Sequence, residues 1–216
     1  FDEKMNDPKV YKLWQNGESV GIFQFESQGM TNFMKELKPD CLEDIIAGVS
    51  LYRPGPMDQI PRYIANKKDP EHAVYTHPAL KPILEVTYGC MVYQEQVMQI
   101  VRDLAGYSLG RADLVRRAMG KKKLDVMAKE REIFIHGQID ENGNIVVPGC
   151  IRNGIDEQSA NKIFDEMAEF AKYAFNKSHA AAYAVISFRT AYLKAYYPTE
   201  FMAAMLNSFL GNLDKI

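Results

Sequence analysis

The chain has 216 residues, 47% of them hydrophobic, and a formal net charge of −2 at pH 7, with a pI near 6.1. This length and composition allow a substantial core, in one large domain or two small ones. The nearly balanced charge argues against a histone-like, generally basic nucleic-acid binder, so any nucleic acid would bind at a local patch and not through the net charge. Three separated cysteines, Cys41, Cys90 and Cys150, form no C-x-x-C pair and are typical of reduced thiols in a cytoplasmic protein.

The first third of the chain predicts helices with one short strand. Asp7-Pro8 opens a helix through Trp14 that Asn16-Gly17 closes. The β-rich segment from Val20 to Phe25 predicts a short strand. Ser27 caps a helix to Leu37, and a further helix runs from Leu42 to Leu51.

The middle of the chain begins with a proline-rich turn. Arg53-Pro54-Gly55-Pro56 ends the preceding helix, because proline cannot continue its hydrogen-bond ladder. The polar stretch around Pro70, Pro78 and Pro82 predicts loops. Gln94 to Ala105 has the apolar spacing of an amphipathic helix.

The remaining chain predicts five helices and a small hairpin. The turn signal Asp140-Glu141-Asn142-Gly143-Asn144 predicts a β-hairpin within the surface insertion at residues 138–150. Strand content is too small for a major sheet, so the predicted fold is all-α, with possible subdomains at 1–88 and 89–216. The predicted helices are Leu109–Met119, Leu124–His136, Asp156 to about Ala174, Ser178–Tyr197 and Thr199–Phe209.

Basic residues are concentrated in one short segment, from Arg116 to Lys123. It places five cations in eight positions, Arg116, Arg117, Lys121, Lys122 and Lys123, around a predicted helix C-cap at Gly120. The helix dipole favours cations there by about 0.3–1 kcal/mol, which accounts for one or two charges but not five. Forked arginine donors followed by lysine point charges suit a triphosphate or a row of backbone phosphates. We therefore favour phosphate binding over a solvated face.

A second candidate lies at the predicted start of a helix, at Asn176, Lys177, Ser178 and His179. Unpaired N–H groups and the positive dipole end attract anions at a helix N-terminus. A lysine there is electrostatically unfavourable, so a bound anion would relieve the conflict. His179 is open to a structural and a functional interpretation.

The same helix carries a stripe of small side chains. Tight helix packing explains its lower part, whereas near the N-terminus the small side chains could leave room for a flat ligand such as a base pair. The helix also contains the longest apolar run, which stops at Arg189 and is too short to span a membrane. The stripe consists of Ala180, Ala184, Ser187, Ala191 and Ala195.

Two further motifs give weaker signals. The stiff turn after Tyr52 would hold Arg53 in one place, either as a ligand or as the partner of a carboxylate. Glu95 and Gln96 follow Tyr93-Gln94 at a helix start, which is a capping pattern. No Asp-x-Asp, Walker loop or G-x-S-x-G elbow occurs in the sequence. The chain is thus suited to hold phosphate but poorly equipped for phosphoryl chemistry of its own.

Five segments stand out along the chain, in the order Gly21–Ser27, Tyr52–Pro56, Tyr93–Met98, Arg116–Lys122 and Phe175–Tyr183. Together they resemble the alpha subunit of bacterial DNA polymerase III, the C-family of replicative polymerases. The resemblance extends from about Gly21 to Met205, and only the insertion from Gln138 to Cys150 departs from the familiar pattern. The abrupt start at Phe1 agrees with a piece of a longer polypeptide.

The resemblance implies a helical fingers region that binds the incoming deoxynucleoside triphosphate and the nascent base pair over the polymerase palm. Arg116 and Arg117 would hold the triphosphate with Lys121 and Lys122 nearby, while Asn176 and His179 would face nucleotide or template. The family's three catalytic aspartates lie in the palm and match nothing here, so Mg²⁺ ligands are expected elsewhere and the fragment alone is expected to be inactive.

Expected partners are deoxynucleoside triphosphates, primer–template DNA and other replicase subunits, in the cytoplasm and without a membrane. Without the resemblance, the residues leave open two alternatives to a polymerase fingers region. One is a non-catalytic helical domain that binds the nucleic-acid backbone through Arg116–Lys123. The other is a scaffold for protein contacts.

Overall fold

A computed structural model of the chain describes residues 5–121 and 123–210. It contains eleven α-helices in these residues, several short 3-10 turns and one two-stranded antiparallel hairpin. The predicted all-α class with a hairpin is confirmed. The helices are α1 (Pro8–Asn16), α2 (Gln28–Leu37), α3 (Leu42–Leu51), α4 (Ile60–Lys68), α5 (Lys81–Leu84), α6 (Gln94–Ala105), α7 (Leu109–Gly120), α8 (Leu124–His136), α9 (Glu157–Phe170), α10 (Lys177–Tyr196) and α11 (Pro198–Ser208).

Helix starts and ends follow the local signals where a capping side chain is present. Asp7 caps α1, and its Oδ1 accepts a hydrogen bond from the backbone N of Lys9 at 2.9 Å. Gly17 closes the same helix with a positive φ of 79°, a conformation that glycine adopts without steric cost. Ser27 and Asp156 cap α2 and α9 as predicted.

One prediction in the first half of the chain is wrong, and one helix was not predicted. Val20 to Phe25 forms successive turns instead of a strand, because no segment among the described residues pairs with it as a strand and hydrogen bonds run within it, from Phe25 N to Ile22 O. The helix that was not predicted is α4, whose first turn accommodates Pro61, since proline at that position loses no helical hydrogen bond. The stretch around Pro70, Pro78 and Pro82 consists of loops, short 3-10 turns and the four-residue α5.

Three helix ends differ from their predicted positions. α9 ends at Phe170 instead of about Ala174. α10 begins at Lys177, so Ser178 lies inside the first turn and is not its N-cap. Gly120 is the last residue of α7, and the cap position belongs to Lys121, whose backbone N donates to Arg117 O.

The helices form two compact units, each with its own contacts. Among the described residues, one unit comprises 5–52 with 178–210, and the other comprises 53–121 with 123–177. The division differs from a boundary at residue 88, because α10 and α11 return to the unit of the N-terminal helices. A sequence-local boundary cannot anticipate such a return.

The first unit has an aromatic core. Tyr11 and Trp14 of α1 are buried, and the Tyr11 ring meets that of Phe188 on α10 edge-on at 5.6 Å. Trp14 makes a similar contact with Phe25, also at 5.6 Å. Aromatic rings that meet edge to face stabilise a core beyond the area that they bury.

The second unit is built around α6 to α9. Its core is aliphatic, with Val97, Ile100 and Val101 of α6 fully buried, and Phe134 of α8 packs against Phe164 of α9 at 5.7 Å. α6 and α7 pack directly against each other. This core determines where the end of α7 and the start of α6 lie, which matters for the candidate site.

The hairpin pairs β1 (Gln138–Ile139) with β2 (Ile145–Val147). Its turn is held by Asp140, whose Oδ1 accepts from the backbone N of Asn142 and of Asn144 at 2.9 and 2.8 Å. The predicted hairpin is therefore confirmed. Across residues 5–121 and 123–210, no helix combines the length and hydropathy that crossing a bilayer requires.

Candidate phosphate-binding surface

Arg116, near the C-terminal end of α7, is held by two neighbours. Its Nε and Nη2 donate to Asp113 Oδ1 at 3.1 and 2.7 Å, and its Nη1 donates to Gln94 Oε1 at 2.9 Å. The side chain is 23% exposed. Because each terminal nitrogen carries a second N–H, these bonds leave the guanidinium oriented and still able to donate.

Arg117 lies beside it and is far more accessible, with 62% of its side chain exposed. Its Nε pairs with Asp113 Oδ2 at 2.7 Å, so a single carboxylate serves both arginines. Hydrogen bonding from Arg116, with the positive charge of both arginines, lowers the pKa of Asp113 below its ordinary value. One negative charge thus opposes two fixed positive charges at this helix end.

The lysines after α7 extend this positive surface. Lys121 and Lys123 are exposed, and the backbone N of Lys123 donates to Ala118 O at 3.1 Å, which folds the chain back against the helix end. The predicted site residue Lys122 lies outside the described residues. We call Arg116, Arg117, Lys121 and Lys123 the basic surface.

The start of α10 already carries a negative charge from the chain itself. The backbone N of Lys177 donates to both carboxylate oxygens of Glu95, at 3.2 and 3.1 Å for Oε1 and Oε2. The Lys177 ammonium lies 5.2 Å from the centre of the Tyr93 ring, a cation–π contact. The expected conflict between a lysine and a helix N-terminus is therefore relieved within the chain.

The other predicted residues at this helix start are exposed. Asn176, Ser178 and His179 are accessible to solvent. The His179 ring packs against Tyr183, one turn later, with centroids 4.4 Å apart. Both a flat stacking surface and a structural pair fit this geometry, so the role of His179 stays a prediction.

The small-residue stripe of α10 is a packing feature. Ala180, Ala184, Ser187 and Ala191 are fully buried, and Ser187 Oγ donates to the backbone O of Tyr183 at 2.9 Å. This burial fits the packing interpretation, and the flat-ligand interpretation near the helix N-terminus stays a prediction. Small side chains are used here because they let other elements approach the helix closely.

Arg53 has a structural position within the second unit. Its Nη2 donates to the backbone O of Tyr173 at 3.0 Å, and its guanidinium lies 4.1 Å from the centre of the Phe175 ring. Burial lowers the pKa of Arg53 below its ordinary value. In the same turn Gly55 has a φ of 101°, and a β-carbon there would lie 2.4 Å from the Tyr173 ring. Arg53 thus contacts a carbonyl and an aromatic ring, and its role as a phosphate ligand stays a prediction.

Sequence reasoning missed three residues that organise the surface. Asp113 and Gln94 hold Arg116, and Glu95 holds the start of α10. Asp113 lies three residues before Arg116 and four before Arg117, a spacing that favours helical ion pairs and could have identified it. In the sequence, Gln94 and Glu95 show only a capping pattern, because their partners Arg116 and Lys177 are 22 and 82 residues away.

A cavity of about 470 Å³ in the second unit has the opposite charge. Its lining includes Asp58, Asp165, Glu166 and Glu169 with one cation, Arg62. Phosphate would be repelled there. The basic surface and this cavity share no lining residue, so the basic surface stays the candidate for an anion site.

One group among the described residues has metal-ligating side chains within 4.8 Å of one another, at Asp40, Cys41 and Asp44. The Asp44 Oδ2 accepts from the backbone N of Asp40 at 3.0 Å, a bond that serves the start of α3. Burial raises the pKa of the Cys41 thiol to about 11, which disfavours the thiolate that binds metals. All three cysteines are free thiols, as predicted.

Comparisons with known proteins identify the family of the chain. Residues 2–142 match the family model of the bacterial DNA polymerase III alpha subunit finger domain. The chain is 53% identical over 215 residues to the DNA polymerase III subunit alpha of Rickettsia bellii (strain RML369-C), with 100% of this chain covered. It is 51% identical over 217 residues to that of Thermus aquaticus and 50% identical over 222 residues to that of Pasteurella multocida (strain Pm70), with 98% of this chain covered in each.

The chain spans 17% of the length of the R. bellii and T. aquaticus proteins and 18% of the P. multocida protein. The family match covers most of the chain and includes α6, α7 and the arginines of the basic surface. The chain therefore belongs to the bacterial DNA polymerase III alpha subunit finger domain family.

Proposed function

We propose that this chain is the fingers part of a replicative DNA polymerase and binds the triphosphate of the incoming deoxynucleotide through Arg116 and Arg117. The observation that carries the proposal is the shared carboxylate of Asp113, which orients two adjacent guanidinium groups without neutralising both. Forked donors held in this way match the oxygens of a phosphate chain. Lys121 would add a point charge nearby, and Lys122 is a further predicted phosphate ligand.

The proposed contribution to the reaction is electrostatic stabilisation and alignment. Negative charge grows on the leaving pyrophosphate as the primer 3′-oxygen attacks the α-phosphorus. Guanidinium groups that are already oriented stabilise this charge without reorganising during the step. The same contacts hold the nucleotide in line with the primer end, which is catalysis by positioning.

The remaining predicted residues have supporting roles in this proposal. Asn176, Ser178 and His179 would contact the nascent base pair or template, and Lys177 and Arg53 would support that surface. Mg²⁺ would be held by palm carboxylates outside this chain, where it would neutralise phosphate charge. Primer–template DNA, deoxynucleoside triphosphates and other replicase subunits are the proposed partners, in the cytoplasm.

Single-nucleotide incorporation by the full-length alpha subunit tests the proposal. We expect Arg117→Ala and Arg116→Ala each to lower kcat/KM for the nucleotide by about 10²-fold, since one strong oriented donor contributes roughly 3 kcal/mol in the transition state. Arg102→Ala is the matched control, because Arg102 is an exposed arginine of α6 whose ion-pair partner among the described residues is its neighbour Asp103. Normal incorporation by both variants would refute the proposal.

A second candidate function, binding of the DNA backbone, is favoured by the exposure of Lys121 and Lys123 beside the arginines. Salt dependence distinguishes it. A lysine that contacts a DNA phosphate should contribute about 0.9 to the slope of log affinity against log salt, so Lys121→Ala would lower the slope by that amount. Under the nucleotide proposal, the slope for DNA stays unchanged while the KM for nucleotide rises.

A further inference from the structure

We propose that Gln94 and Glu95, the first two residues of α6, are positioning residues that couple the basic surface to the start of α10. The inference rests on the proposed function, because it assigns these residues a role in orienting groups that bind the nucleotide. Each acts through a different partner: Gln94 through Arg116, and Glu95 through the backbone of Lys177.

Gln94 contacts both Arg116 of α7 and the segment just before α10. Its Oε1 accepts from Arg116 Nη1 at 2.9 Å, and its backbone N donates to Phe175 O, also at 2.9 Å. Phe175 and Tyr93 form an isolated parallel β-bridge at this point. A shift at the segment before α10 therefore moves the acceptor that orients Arg116.

Glu95 stabilises the first residue of α10 through its carboxylate. Its two carboxylate oxygens accept from the backbone N of Lys177, the first residue of α10. A carboxylate at a helix N-terminus is stabilised by the helix dipole and by the hydrogen bond itself. Because Gln94 and Glu95 are adjacent, the two contacts cannot move independently.

The start of α6 is itself rigidly supported. Gln96 is buried, and its Oε1 accepts from the backbone N of Val92 and of Tyr93 at 2.8 and 3.0 Å. Its Nε2 donates to Thr87 Oγ1 at 2.8 Å. A buried amide that uses both its oxygen and its nitrogen leaves Gln94 and Glu95 little freedom, as positioning requires.

Packing alone does not require these polar contacts. α6 and α7 are already joined by buried side chains, among them Val97, Val101 and Val115. The hydrogen bond from Arg116 to Gln94 adds a direction for the guanidinium. Its removal should therefore disturb function more than folding.

The first test removes the acceptor of Gln94 in the full-length alpha subunit. Gln94→Met keeps the length of the side chain and loses the oxygen, and we expect kcat/KM for the nucleotide to fall about tenfold, the effect of one hydrogen bond to a charged group. Gln99→Met is the matched control, since it makes the same change at a half-buried position of the same helix. Its kcat/KM should stay within twofold of the wild type.

The double variant Gln94→Met/Arg116→Ala separates positioning from stability. If Gln94 acts through Arg116, adding Gln94→Met to Arg116→Ala changes kcat/KM by less than about twofold. A full tenfold loss in that background would overturn the inference. Unchanged incorporation by Gln94→Met together with impaired Arg116→Ala would overturn the inference alone, whereas unchanged incorporation by both arginine variants would overturn the proposed function as well.

Glu95 provides an independent test through conservative rescue. Glu95→Gln keeps a carbonyl oxygen that can accept from Lys177 N, and Glu95→Ala removes the acceptor. We expect kcat/KM to decrease from the wild type to Glu95→Gln and further to Glu95→Ala, with equal thermal midpoints for the last two. Equal activities of Glu95→Ala and the wild type would overturn the role of Glu95.

Discussion

The end of α7 and the start of α10 both have the sequence character of a phosphate site, yet the chain balances their charges differently. At the end of α7, Asp113 is shared between Arg116 and Arg117, and further lysines follow. The basic surface therefore keeps an excess of positive charge. The negative end of the helix dipole also lies there, and it stabilises the cations themselves.

At the start of α10, the balance is nearly complete. The Glu95 carboxylate accepts from the backbone N of Lys177, and the Lys177 ammonium faces the Tyr93 ring. A cluster of cations in a sequence thus indicates an anion site only where the fold leaves the charge uncompensated. This difference makes the basic surface the stronger candidate for the triphosphate.

Charge reversal should give the largest difference in kcat/KM between the end of α7 and the start of α10. Arg117→Glu should lower kcat/KM of the full-length polymerase by about 10³-fold, because it removes a donor and adds a repelling charge. Lys177→Glu should cost about tenfold or less, since its ammonium is already engaged with Tyr93. The measurement is single-nucleotide incorporation at saturating primer–template. Equal losses would remove the distinction between the two ends.

Overpacking the buried stripe of α10 should have a smaller effect, and that effect should be on stability instead of kcat/KM. Ala184→Leu places extra methyl groups at a fully buried position and should destabilise the fold by about 2 kcal/mol. The midpoint of thermal inactivation of the full-length polymerase should fall by several degrees. Ala182→Leu, at an exposed position of the same helix, is the control. If Ala184→Leu were tolerated like the control, the stripe would not be a packing surface.

Neutralising the shared carboxylate should have the smallest effect. Asp113→Asn keeps one acceptor but loses the second and the charge, so Arg116 and Arg117 lose their common orientation. We expect kcat to fall about tenfold, while the KM for nucleotide changes less than threefold, because the positive charge is retained. Steady-state kinetics of incorporation measures both constants. A large rise in KM with normal kcat would show that Asp113 acts on binding and not on alignment.

Several helix boundaries were predictable because their signals are local. Asp7, Ser27 and Asp156 cap the helices that follow them, and Gly17 ends α1 where its positive φ is needed. The wrong strand at Val20 to Phe25 has the opposite cause. A strand needs a partner, and β-propensity measures fit to a neighbour more than backbone preference.

For the candidate site, the sequence determined the residue types and their order. Five cations close together at a helix end, and the order of the five motifs, identified the basic surface and the family without any coordinates. Tertiary structure alone decided which distant side chains hold these groups. Gln94, which accepts from Arg116, and Glu95, which accepts from the backbone N of Lys177, are 22 and 82 residues away along the chain. Contacts of that separation exist only once the helices have packed.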